Sequence, residues 1–509
     1  MKKIDRRALM ASGLALAAAP DVHAQAASIA RTTFGRVRGV TEGGVLSFKG
    51  VRYGAPTQRF MAPREPTPWR GVRDALAYGP ACPQRGLESE PQSEDCLFLN
   101  VWTPSLQGQR PVLLYIHGGA YNTGSGSSPI TNGARLAERG DAVVITLNHR
   151  LNAFGYAYLA AYGFPDSGNA GQLDLILALQ WVQRNAAHFG GDAGNVTVFG
   201  QSGGGAKIAT LMAMPAAAGL FHRAFTMSGQ QVTASGPLNA TRRTDALINA
   251  LHRVAPTPRE LATVPADLIL QASTMIDPVL GFGSLYFGPV LDERHLTRHP
   301  FYPAAAPQSL GIPLLIGNTH DETRGFVGDD RAMFGMSWNE LPRLLATAMR
   351  VDILPDTVVA EYRRLYPHYS PSDVYFAAST AARSWRGALI ELEARAEAGA
   401  PAYAYQLDWR APAEGGIFGA PHTLDIPLVF GNLEQSHWIG ARSPEAEAMS
   451  AQMMDTLIRF ARVGDPGWPP YRLPERQTMI FDTTSRVVSD PRREERELFA
   501  RVPYIQPGT

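Results

Sequence analysis

The sequence predicts an α/β protein with a large, mostly parallel central sheet, helices on both faces, and helical excursions that form a cap or gorge wall. Short apolar, β-branched runs at 112–116, 142–147 and 196–199 are spaced by helical stretches, the pattern of crossover connections between parallel strands. The stretch 173–186 carries apolar residues at helical spacing just before one of these runs. Two of the runs end abruptly in glycine-rich turns that hold polar residues suited to chemistry, His117-Gly118-Gly119-Ala120 and Gly200-Gln201-Ser202-Gly203-Gly204.

In chain order, residues 35–53 read as hairpin-like strands with glycine turns, an antiparallel edge. Residues 58–84 are rich in Pro and Arg and read as irregular. Residues 224–229 predict a further strand with Ser228 at its end, read as a turn serine. Residues 312–317 and 402–407 predict two more buried strands, each followed by a polar or Gly/Pro-rich loop. Residues 443–463 predict an amphipathic C-terminal helix whose apolar face turns to the core. The motifs span the chain, so residues 25–509 are expected to form one catalytic domain.

The chemistry follows from the second glycine turn. A strand that turns sharply into a helix leaves its turn residue in a strained backbone and exposes its side chain at the carboxyl end of the sheet. Ser202 occupies that place. A serine hydroxyl needs a base, and the base needs an orienting carboxylate. In this arrangement the acid and then the histidine follow the serine along the chain. Glu322 or Asp321, in the loop after 312–317, is the candidate acid, and His422, after the Gly/Pro-rich loop, is the candidate base. The turn after 112–116 supplies an oxyanion hole from the backbone N–H groups of Gly119 and Ala120, joined by that of Gly203. Aromatic and polar residues near these motifs, Gln201, Tyr121, Phe282, Phe287, Phe326 and Phe418, are expected to wall the substrate pocket.

With these residues in place the chain resembles the type-B carboxylesterases, the family that includes the cholinesterases. Glu94-Asp95-Cys96-Leu97-Phe98-Leu99-Asn100-Val101, Asn148-His149-Arg150-Leu151-Asn152 and Phe460-Ala461-Arg462-Val463-Gly464-Asp465-Pro466 are similar to family stretches, as is the serine turn itself. The resemblance implies an α/β-hydrolase fold, ester hydrolysis through an acyl-enzyme, Glu322 as the acid, His422 as the base, and a disulfide between Cys82 and Cys96. Two free buried thiols are the alternative to that bridge. The chain departs from the family pattern at Gln201 and Gly203, where Glu and Ala are usual, and at Thr423 and Asp425, where Gly and Glu are usual. Gln201 removes a negative charge that would attract a cationic substrate. The competing readings are a specialised hydrolase of bulky esters, carbamates or amides, a lipase, and a non-catalytic binding module, which typically lacks a member of the triad.

Composition narrows the partners. With 47 basic and 46 acidic residues there is no charge excess suited to nucleic acid. No Cys/His pair has zinc-like spacing, and neither metal nor cofactor is expected. A small-molecule ester is the expected partner of a monomeric chain. Residues 1–24 read as a signal peptide: Lys2-Lys3-Ile4-Asp5-Arg6-Arg7 is basic, and 8–19 is apolar but too short to span a bilayer. Val22-His23-Ala24 fits a cleavage site before Gln25. The paired Arg6-Arg7 suggests twin-arginine export, and hence a periplasmic or secreted bacterial protein with no stable membrane insertion.

Overall fold

Alternate residues of a strand face opposite sides of its sheet, so a strand that is apolar throughout must be covered on both faces. Residues 112–116 meet that condition and are fully buried in the computed structural model, which describes residues 28–506 apart from 57, together with 508. The expected leader lies outside the described residues. The strands are β1 (Ser28–Thr32), β2 (Gly35–Glu42), β3 (Val45–Arg52), β4 (Val72–Asp74), β5 (Phe98–Thr103), β6 (Arg110–Ile116), β7 (Val143–Leu147), β8 (Gly191–Gln201), β9 (Arg223–Met227), β10 (Leu314–Thr319), β11 (Ala402–Leu407), β12 (Gln477–Phe481) and β13 (Arg486–Ser489).

They form one 13-stranded sheet in the order β1-β2-β3-β5-β7-β6-β8-β9-β10-β11-β12-β13, with β4 paired to β2. From β7 through β12 every neighbouring pair is parallel. The chain is antiparallel at both margins, where hairpins build β1 to β3 and β12 to β13. The fold is thus the expected α/β architecture with a largely parallel centre.

The helices that matter for the site are α1 (Ala170–Asn185), α2 (Gly203–Ala213), α3 (Glu322–Val327), α4 (Pro371–Thr380), α5 (Arg386–Glu397) and α6 (Pro444–Val463). On one face of the sheet Val112, Leu114 and Ile116 of β6 pack in a core with Leu179 and Trp181 of α1 and Ile208 and Leu211 of α2. Leu113 and Tyr115 point the other way, into a second core with Met453, Leu457 and Phe460 of α6. Ser443 caps α6 by accepting the Ala446 N–H at 3.2 Å, and Gly464 ends it in the left-handed region (φ 76°). Among the described residues no helix is long and apolar enough to cross a membrane.

The implied Cys82–Cys96 bridge is not formed. Both residues are buried free thiols, and the Leu151 N–H donates to Cys82 Sγ at 3.3 Å. The neighbouring Cys82 thiol, together with burial, pushes the Cys96 thiol well above its usual pKa.

Candidate active site

Four adjacent parallel strands each deliver one polar residue to the same end of the sheet. Ser202 follows β8, Ser228 follows β9, Glu322 follows β10, and His422 lies in the loop beyond β11. On the other side of β8, β6 runs into residues 118–120. The carboxyl ends of parallel strands are where such sheets place their sites.

Ser202 sits at φ 54° and ψ −125°, a strained conformation held by its N–H donating to the Met227 carbonyl at 2.7 Å. Helix α2 starts at the next residue, so its first free N–H groups face the space beside the hydroxyl. The turn is tight enough to require glycine. A Cβ on Gly204 would lie 2.0 Å from the Ile116 carbonyl oxygen. Ala120, Ser228 and Thr423, which line the same cavity as Ser202, also have positive φ (52°, 53° and 76°). Thr423 keeps a backbone suited to glycine while its Oγ1 accepts from Trp438 Nε1 at 3.0 Å.

His422 Nδ1 is hydrogen-bonded to Glu322 Oε2. The other carboxylate oxygen accepts from the Thr319 N–H at 3.0 Å and from Asn318 Nδ2 at 3.3 Å. Complete burial works to raise the Glu322 pKa. The facing imidazole, its hydrogen bond, the nearby Ser228 hydroxyl and the Thr319 N–H outweigh it and hold the carboxyl below its usual range. Ser228, read from sequence as a turn residue, therefore faces the acid, though outside hydrogen-bond geometry. Asp321 points elsewhere. It pairs with His320 at 3.2 Å and accepts the Ala420 N–H at 3.0 Å, tying the acid loop to the histidine loop. Burial opposes its ionisation, but His320 and these contacts hold it at about 2. The Phe326 ring lies over the His422 imidazole, with centroids 4.4 Å apart, and the Gln201 amide nitrogen is 3.1 Å from His422 Nε2.

Ser202, His422, Gly119, Ala120 and Gly203 line one cavity of about 370 Å³. Of the residues expected to wall it, Gln201, Tyr121 and Phe326 do so. Three do not. Phe282 sits between Gly281 and Gly283 on a loop and is 48% exposed; the neighbouring glycines, both at positive φ, turn it out to solvent. Phe287 packs into the core on the α1 side of the sheet. Phe418 is buried edge-on against Trp438, 5.0 Å between centroids, behind the histidine loop. Tyr286, next to Phe287, lines the cavity in their place.

The sequence profile of the Carboxylesterase family matches residues 26–499. The chain belongs to this family. It is 36% identical to the para-nitrobenzyl esterase of Bacillus subtilis (strain 168) over 489 residues, 92% of this chain and 98% of the relative. It is 32% identical to the phenmedipham hydrolase of Pseudarthrobacter oxydans over 500 residues, with the same coverage. The crystal structure of a Geobacillus stearothermophilus carboxylesterase superposes with a TM-score of 0.82 at 35% identity, covering 92% of this chain and 99% of that one. The protein is a serine carboxylesterase with the α/β-hydrolase fold.

One departure of this carboxylesterase from the family pattern, Gly203, has a local cause. A Cβ on Gly203 would lie 2.0 Å from the Ala120 carbonyl oxygen. That carbonyl accepts from Lys207 Nζ at 2.8 Å, and Lys207 also donates to the His117 carbonyl at 3.2 Å. Lys207 thus pins the 117–120 turn against α2, and glycine at 203 leaves the room. Sequence reasoning passed over Lys207; the signal was a lone charge inside the apolar run of α2. Burial without an acidic partner lowers its pKa to about 7. Gly203→Ala is expected to displace the turn and lower kcat for a nitrophenyl ester by about tenfold to a hundredfold, the scale of a misplaced oxyanion donor. Unchanged kcat would contradict that packing.

Asp425 is buried beside the acid, and Tyr405 donates to its Oδ2 at 3.1 Å. Burial and the charge of Glu322 raise its pKa to about 7. In the unfolded chain the proton leaves near pH 4. Between about pH 4 and 7 the unfolded state therefore binds fewer protons, and Asp425 destabilises the fold increasingly as pH rises. Asp425→Asn removes that effect. Thermal unfolding is expected to show a larger gain in Tm for the variant at pH 8 than at pH 5; the same difference at both pH values would contradict the assignment.

Proposed function

We propose that Ser202 is the nucleophile of this carboxylesterase, His422 its base and Glu322 the carboxylate that orients the base. The reading is carried by one observation: His422 is anchored through Nδ1 to buried Glu322 and lines the same cavity as strained Ser202. His422 Nε2 takes the serine proton as Oγ attacks the ester carbonyl, and the Gln201 amide that now donates to that nitrogen gives way. The N–H groups of Gly119, Ala120 and Gly203 bind the oxyanion. His422 then protonates the leaving alcohol, and water hydrolyses the acyl-enzyme by the same path.

The para-nitrobenzyl esterase relative supports small aromatic esters as substrates. A second reading, a hydrolase of bulky esters, carbamates or amides, draws support from the relative named for phenmedipham. The N-terminal sequence supports export and work outside the cytoplasm, and we propose that there the thiols of Cys82 and Cys96 form a disulfide by exchange with an oxidised disulfide carrier of that compartment, which takes up the two electrons and two protons and leaves as a dithiol. Purified protein is expected to turn over p-nitrophenyl butyrate. A folded protein inert toward it and toward para-nitrobenzyl esters would contradict the proposal.

A further inference from the structure

The cavity holds a cation that has no counter-ion. Between α4 and α5 the helix widens into a π turn, Ala381–Trp385, a local distortion common at functional sites. Its central residue, Arg383, lines the active-site cavity. The guanidinium lies 4.5 Å from the centroid of the Phe326 ring, whose own ring covers the His422 imidazole. Arg383 is therefore one aromatic ring away from the catalytic base. Among the described residues no carboxylate pairs with it. Other arginines held in the interior have their acceptors: Arg150 pairs with Asp174 at 2.6 Å, Arg243 pairs with Asp277 at 2.7 Å, and Arg395 donates to the Ser309 and Pro401 carbonyls at 2.8 and 3.1 Å.

The surroundings reinforce the charge. Arg350 stands close enough to Arg383 to feel its repulsion, and its own Nε is buried without a partner. Tyr286 and Tyr504 lie beside both arginines. Glu391 pairs with neither arginine: its Oε1 accepts the Gln231 N–H at 2.7 Å, and burial raises its pKa to about 8. The other polar groups on the lining near Arg383, Gln230, Gln231 and Ser384, are uncharged, as is Gln201 beside the nucleophile. Keeping two guanidinium groups half-desolvated and unpaired is unfavourable. A planar fork of N–H donors in such a place fits a carboxylate.

Building on the carboxylesterase reading, we propose that the substrate carries a free carboxylate in addition to its ester, and that Arg383 is the specificity-determining group that receives it. The substrate class is the hemiester of a dicarboxylic acid, or an ester whose alcohol part bears a carboxylate. The reaction is unchanged. Water adds across the ester, the acyl C–O bond breaks, and the second carboxylate only binds.

Two matched pairs test this. Monoethyl adipate against ethyl hexanoate places the charge on the acyl side; 5-acetoxypentanoate against pentyl acetate places it on the alcohol side. In the unmodified protein, kcat/KM for the charged member of at least one pair is expected to exceed that for its neutral partner by about tenfold to a hundredfold, the scale of one charge-assisted contact. The preference is expected to shrink between 10 and 500 mM salt. Arg383→Gln is expected to collapse the ratio within that pair, and Arg383→Lys to retain part of it. Ratios at or below one in both pairs, or a preference that survives Arg383→Gln, would overturn the proposal. Failure to hydrolyse any of the four esters would overturn the carboxylesterase reading instead. If Arg383→Gln does not fold, the salt dependence of the ratio in the unmodified protein decides.

Discussion

Ser202→Ala is expected to reduce hydrolysis of p-nitrophenyl butyrate by about 10,000-fold or more, with binding of the ester and thermal unfolding little changed. The magnitude follows from the role. Removing the nucleophile of such a triad leaves only what the oxyanion donors and binding contribute. Folding is spared because the strain at position 202 belongs to the backbone. The positive φ is imposed by the Met227 hydrogen bond and by the close passage of β6, and Ala bears it as Ser does. Parallel measurement of turnover and unfolding separates the two effects. A variant with a tenth of the original rate would mean that another group does the chemistry.

Glu322→Gln is expected to cost about 1,000-fold to 10,000-fold in kcat, although the change is isosteric. The Thr319 N–H and the Asn318 amide both donate to Oε1. They require an oxygen at that place, so a glutamine turns its NH₂ toward His422 Nδ1. That nitrogen must then accept, the imidazole proton moves to Nε2, and the atom needed to take the serine proton is already protonated. The same tautomer error in serine proteases costs about 10,000-fold. Because its surroundings hold the Glu322 carboxyl below its usual range, the ionised form stabilises the fold, and the neutral variant is expected to unfold at or below the temperature of the original at neutral pH. Retained activity would show that Glu322 does not set the tautomer.

The fold was legible because its signals are local. Apolar runs such as 112–116 must be covered on both faces, and glycines at 118, 119, 200 and 204 mark where strands break into turns. The family motifs place the acid at Glu322. Residue type and position alone leave Asp321 equally eligible, because both are polar residues in one short loop. The structure separates them through the first turn of α3, which aims Glu322 at His422 and leaves Asp321 to tie the two loops together. The pocket was far less legible. The aromatic cluster at 276–287 has no period that tells a reversing loop from a wall, so Phe282 faces solvent and Phe287 enters the core while Tyr286 lines the cavity. Arg383, Tyr504 and Gln230 come from distant parts of the chain and share no local pattern; only the topology brings them together. The disulfide implied by resemblance also differs, since both cysteines are buried free thiols.

Covalent labelling decides whether Ser202 carries the acyl group. The protein would be treated with one equivalent of diethyl p-nitrophenyl phosphate, an analogue that stops at the covalent stage, then digested and mapped by mass spectrometry. One diethylphosphoryl group per chain is expected, carried by Ser202, with esterase activity lost in step with labelling. A label on another residue, or complete loss of activity with Ser202 unmodified, would contradict an acyl-enzyme on Ser202.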